Sequence, residues 1–173
     1  MSKYKVEIEL MPHSAGFSYP VSIVDGKCGR PVGHGNHSRH VYFHGPIVVK
    51  IDQDNVFNHL PNESQCYNEH VFWQSIRQKQ ASKLFAPILQ YGQANCFRYV
   101  VQPRVKFSNN GKAKAQHYDA MMKIQMRFGL TDICLAGDSG DNWGVTPEGK
   151  IIIYDYGFSC PEKAHWPEFK VVV

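Results

Sequence analysis

A lysine stands inside an apolar strand, Ile47-Val48-Val49-Lys50-Ile51. Neither face of such a strand reads as solvated, so its ammonium group is expected in a cleft, where an anionic partner is required. The next segment, Glu63–Gln80, reads as a helix. Pro61 precedes it, Asn62 can cap it, and Cys66, Glu69, Trp73 and Ile76 recur at three- and four-residue spacing with Phe72 beside them. Glu69 therefore falls within the apolar stripe, and an inward carboxylate needs a cation. Pairing Lys50 with Glu69 meets both needs. The alternative is that Lys50 snorkels to solvent and Glu69 lies just off the stripe.

A second pair of polar residues flanks a hairpin. Asn142-Trp143-Gly144-Val145 precedes a Pro147-Glu148-Gly149 turn, and Lys150–Tyr154 leads into Asp155-Tyr156-Gly157. Hairpin closure brings the Asn142 and Asp155 oxygens near one another, although they are thirteen residues apart in sequence. Two such oxygen ligands, completed by waters and phosphate oxygens, suit Mg²⁺. The plainer alternative is that both residues serve only to shape the turn.

The rest of the chain supplies strands and one more helix. Lys5–Leu10, Pro20–Val24, Val41–Phe43, Ile47–Ile51, Ile88–Tyr91 and Phe97–Val101 read as strands, with turns at His44-Gly45-Pro46 and Gly92-Gln93-Ala94-Asn95. Gln116–Phe128 reads as a helix closed by Gly129, after a polar Ser108–Lys114 and before a loop over Thr131–Asn142. This order predicts an α+β fold and not the βαβ alternation of a doubly wound sheet.

Composition narrows the classes. At 173 residues, 43% hydrophobic and 20% charged, the chain can bury a core as a single domain. No apolar run approaches the ~20 residues of a membrane span. Met1–Leu10 lacks the apolar stretch of a leader peptide, and the five cysteines show no metal or redox spacing, so a reduced cytoplasm is the expected setting. The net charge of +4 permits a polyanion. However, Arg39, Arg98, Arg104 and Lys106 form no dense basic stripe, which counts against nucleic acid. His34, His37, His40 and His44, with Cys28 nearby, offer zinc ligands. The glycines around them favour instead a loop whose His and Arg39 side chains add donors over phosphates.

Taken in order, these residues resemble the protein-kinase-like fold, over about two-thirds of the chain. Gly33-His34-Gly35-Asn36-His37-Ser38-Arg39-His40-Val41-Tyr42 is similar to the family's Gly-rich loop, and Val48-Val49-Lys50-Ile51 to its V-A-I-K strand. Glu69 sits where the family's helix Glu belongs. Tyr99-Val100-Val101-Gln102 resembles the strand that leads to the adenine-binding hinge, and Asn142 and Asp155 match the catalytic-loop Asn and the Asp of D-F-G. The nearest resemblance is to small kinase-like proteins of bacteriophages.

The resemblance implies a two-lobed domain, about 1–101 and a minimal, truncated second lobe over 102–173. It also implies ATP and Mg²⁺ as cofactors and phosphoryl transfer to a Ser/Thr or small-molecule hydroxyl. Gly33, Gly35, Ser38, Lys50 and Val101 would bind nucleotide, Glu69 would orient Lys50, and Asn142 and Asp155 would hold the metal. The family's catalytic base lies five residues before the Asn, and here that position is Gly137. Asp132 and Asp138 are the candidate bases, and the third possibility is that there is none. In that case the chain is a pseudokinase, an interaction or inhibitor module with a host or viral protein as partner.

Overall fold

The computed structural model describes residues 3–12, 18–32, 39–52, 64–108, 111–130 and 142–157. The architecture is mixed α+β, and every sheet within it is antiparallel. The chain divides into two compact units, Met1–His70 with Ile88–Arg104, and Val71–Pro87 with Val105–Val173. Among the described residues no helix is long and apolar enough to cross a membrane.

In the first unit, β1 (Val6–Pro12), β2 (Ser18–Val24) and β3 (Lys27–Cys28) form one sheet in that order. The sequence reading placed strands at Lys5–Leu10 and Pro20–Val24 and missed β3. The local signal for β3 is Asp25-Gly26: φ is 50° at Asp25 and 78° at Gly26, the left-handed pair that a two-residue hairpin turn requires. A second sheet runs β4 (Arg30–Pro31), β5 (Arg39–His44), β6 (Ile47–Asp52), β8 (Phe97–Pro103), β7 (Gln90–Ala94).

The expected turn at 92–95 lies further along, at Asn95 and Cys96, which have φ of 43° and 69°. Gly92 is instead a strand residue paired with Tyr99. A Cβ there would meet the Tyr99 hydroxyl at 2.5 Å, so this glycine serves close packing and not a turn.

Strand alternation separates two faces of the five-stranded sheet. Tyr42, Ile47, Val49, Ile51, Phe97, Tyr99 and Val101 bury one face against Ile8, Val21 and Val24 of the other sheet. The opposite face carries Arg39, Val41, Val48, Lys50, Asp52, Val100 and Gln102, as the register Arg39↔Asp52, Val41↔Lys50, Lys50↔Val100 and Val48↔Gln102 requires.

Helix α1 spans Gln65–Ile76 and is shorter than the predicted 63–80; a 3₁₀ turn, Gln80–Leu84, follows. Asn62 lies outside the described residues, and Ser64 caps the helix: its Oγ accepts the Tyr67 N–H at 3.0 Å. The buried stripe of α1 runs Cys66, Glu69, Phe72, Ile76, with Phe72 replacing the expected Trp73.

In the second unit, α2 (Gly111–Ala115) and α3 (Tyr118–Phe128) precede the hairpin β9 (Trp143–Val145) and β10 (Ile151–Ile153). The polar stretch predicted at 108–114 is helical over α2, where Lys and Ala have good helix propensity. Gly129, at φ 62°, closes α3 as predicted, with its N–H on the Gln125 carbonyl. Phe72, Phe85, Phe128 and Tyr156 form an aromatic core with ring centroids 4.9 to 5.9 Å apart.

Candidate functional site

Lys50 is placed by β6, whose other residues fix its face. Val49 and Ile51 are wholly buried on the core side, so Lys50 must project from the opposite side. Glu69, fully buried on α1, receives it: Lys50 Nζ lies 2.9 Å from Glu69 Oε1. The burial of both groups excludes the snorkelling alternative. Arg39 joins the pair, its Nη1 lying 2.9 Å from Glu69 Oε2 and its Nη2 donating to Oε1 at 3.1 Å. One carboxylate is thus gripped by a two-point guanidinium fork and an ammonium group, all three nearly inaccessible to water.

Sequence reading missed this role for Arg39 and assigned it to a phosphate-facing loop. The available signal was position: the hairpin pairs Arg39 with Asp52, so it shares a face with Lys50.

Asp52 is the second unanticipated residue. It accepts a hydrogen bond from the Ser64 hydroxyl and, at 3.1 Å, from the Cys66 N–H in the first turn of α1. The end of β6 therefore anchors the helix that carries Glu69. Cys66 completes the joint, its thiol 3.4 Å from the Lys50 carbonyl oxygen. Burial pushes that thiol well above its ordinary pKa and Asp52 adds to the effect, so the cysteine is a neutral packing group.

The Asn142–Asp155 half belongs to the second unit. The Asn142 backbone carbonyl accepts both the Tyr154 N–H at 3.0 Å and the Asp155 N–H at 3.1 Å. The hairpin thus joins the two residues through their backbone. Asp155 is partly exposed and Tyr156 is buried, with its hydroxyl donating to the Ala86 carbonyl at 2.8 Å. The buried tyrosine anchors the backbone next to Asp155. Phe107 stacks on Tyr154 at 4.3 Å and fills the space where a Gly144 Cβ would lie, as close as 2.5 Å.

Val101 lies in mid-strand between β6 and β7, fully buried on the core face, with its carbonyl accepting the Leu89 N–H at 2.8 Å. Gly33, Gly35, Ser38, Asp132 and Asp138 lie outside the described residues, as do Gly137, His34 and His37. His44 is committed to Ser22, with Nε2 to Oγ at 3.0 Å, and no cluster of three metal-ligating side chains occurs among the described residues. Of the basic residues considered for nucleic acid, Arg39 is buried on Glu69 and Arg104 lies 4.1 Å over the Phe43 ring.

By sequence the chain matches no protein-family model and no curated protein. Among solved structures it is similar to the bifunctional kinase-methyltransferase WbdD, at 14% identity and TM-score 0.46, over 91% of this chain and 42% of that one. A monomeric WbdD structure gives 14% identity and TM-score 0.47 over 87% and 43% of the two chains. The PknI kinase domain of Mycobacterium tuberculosis gives 12% and 0.40 over 87% and 64%. The chain therefore spans about two-fifths of the WbdD chains. Likeness at this level assigns no activity to this chain.

Proposed function

We propose that this chain is a kinase-like protein, of the small bacteriophage kind, that binds ATP with Mg²⁺. The observation that carries the reading is the buried Lys50–Glu69 pair at 2.9 Å, formed between the strand and helix that the motifs single out. A buried ammonium group held by a carboxylate is a poor device for stability, because desolvation offsets most of the attraction. It is a good device for presenting a fixed cation to phosphate oxygens. In this reading Lys50 holds the α- and β-phosphates and Glu69 orients Lys50. Asn142 and Asp155 would hold Mg²⁺: their side chains offer hard oxygen ligands, backbone hydrogen bonds join the two residues, and Asp155 is partly exposed. The metal would neutralise phosphate charge during transfer to a Ser/Thr or small-molecule hydroxyl. Gly33, Gly35 and Ser38 would cover the phosphates, and Asp132 or Asp138 would position the acceptor hydroxyl.

A second reading, a pseudokinase acting on a host or viral protein, is favoured by Gly137 standing where the family keeps its catalytic carboxylate. Turnover of radiolabelled ATP separates the two. Phosphoryl transfer by the wild type, lost in Asp155→Ala and in one of Asp132→Asn or Asp138→Asn, supports the kinase. Nucleotide binding without turnover supports the pseudokinase.

A further inference from the structure

Glu69 divides its two oxygens unequally between its cations. Oε1 is shared by Lys50 Nζ at 2.9 Å and Arg39 Nη2 at 3.1 Å, whereas Oε2 is held by Arg39 Nη1 at 2.9 Å. Three elements meet there: Arg39 opens β5, Lys50 lies in β6 and Glu69 in α1. Arg39 stands two residues along β5 from Val41, the residue opposite Lys50, so the backbone sets the two cations about 7 Å apart along the sheet. Their shared carboxylate then draws both head groups onto one oxygen. Orienting Lys50 requires a single contact from Glu69. The fork exceeds that need, and it crowds two like charges into a cluster whose members are each 5% exposed or less.

The extra cation matters to any anion that draws on Lys50. In a lone buried Lys–Glu pair, an ammonium group that turns towards another anion leaves its carboxylate uncompensated, and this opposes the turn. Here Arg39 keeps both Glu69 oxygens hydrogen-bonded whichever way Lys50 points. The division of labour suits the two side chains. An ammonium group on a flexible stem redistributes its three donors easily, whereas a planar guanidinium grips a carboxylate at two points and stays.

We propose that Arg39 is a positioning residue that neutralises Glu69 so that Lys50 can engage phosphate oxygens, an assignment that rests on the nucleotide-binding reading above. Arg39 acts through Glu69 and needs no contact with the nucleotide. Without Arg39, Glu69 turns to Lys50 for its countercharge and competes with phosphate for it.

The test is the Kd for Mg-ATP, by calorimetric titration of the full chain, in the wild type, Arg39→Gln and the double variant Arg39→Gln/Glu69→Gln. Arg39→Gln is expected to weaken binding about 10-fold, within the coupling range of residues in one charge network. The double variant is expected to regain most of that loss, because a neutral amide at position 69 no longer competes for Lys50. A merely structural role for Arg39 gives no such rescue, since the second substitution removes a further buried partner. Arg39→Lys, which keeps the charge but not the two-point grip, provides the same comparison with and without Glu69→Gln if Arg39→Gln fails to fold. Single variants that bind Mg-ATP as the wild type does, or double variants that bind no more tightly than the single ones, overturn this assignment alone. A wild type that binds no nucleotide overturns both the assignment and the reading beneath it.

Discussion

Glu69 serves two cations at once, and this sets an order among substitutions. Glu69→Leu deprives both Arg39 and Lys50 of their carboxylate, and the expected loss is about 3–5 kcal/mol in urea unfolding. Lys50→Met and Arg39→Met each leave one cation on Glu69, so each should cost less. The three effects should also be strongly non-additive. Additive losses would show that the fork and the ammonium act independently. Two histidines supply a pH effect. Burial lowers the pKa of His44, opposed weakly by Asp25, and also that of His40. Both therefore take up protons less readily in the folded state, and below about pH 6.5 the unfolded chain binds more protons. Stability contributed by these two groups should be intact above that pH and fall as the pH drops below it. Melting curves between about pH 8 and pH 5 should show a smaller decline in His44→Gln than in the wild type. At this scale Lys50 and Glu69 were legible because charge inside an apolar pattern is conspicuous. Arg39 was not, because its neighbours in sequence are glycines and histidines of a polar segment, and only strand register reveals its face.

The joint between β6 and α1 is the element on which the Lys50–Glu69 geometry rests. Asp52 at the end of the strand accepts from Ser64 and Cys66, and Ser64 in turn accepts the Tyr67 N–H. Ser64→Ala should cost about 0.5–2 kcal/mol, the usual value of a lost cap, read as a shift in the urea midpoint without a change in slope. No loss would mean that Asp52 alone satisfies the helix end. The predicted cap was Asn62, since Pro61-Asn62 is a strong local signal; Asp52 and Ser64 are twelve residues apart and form no local signature. The strands were legible where apolar alternation was long, as in β6 and β8. Displaced boundaries follow from tertiary packing: Gly92 reads locally as a turn residue, yet it is held in β7 by the ring of Tyr99.

For the whole molecule, the account joins two sets of residues that sequence order keeps far apart, Lys50 with Glu69 in the first unit and Asn142 with Asp155 in the second. Each set has an explanation as local structure. What distinguishes a nucleotide-binding protein is that both respond to one ligand. The direct measurement is the melting temperature of the wild type, Lys50→Met and Asp155→Ala across a Mg-ATP series. A ligand at about 100 times its Kd adds roughly 2.7 kcal/mol, a shift of several degrees for a chain of this size. The account predicts that shift in the wild type and its loss in both variants, although they alter different units. A wild type that melts at the same temperature with and without millimolar Mg-ATP, or a shift that survives both substitutions, would contradict it.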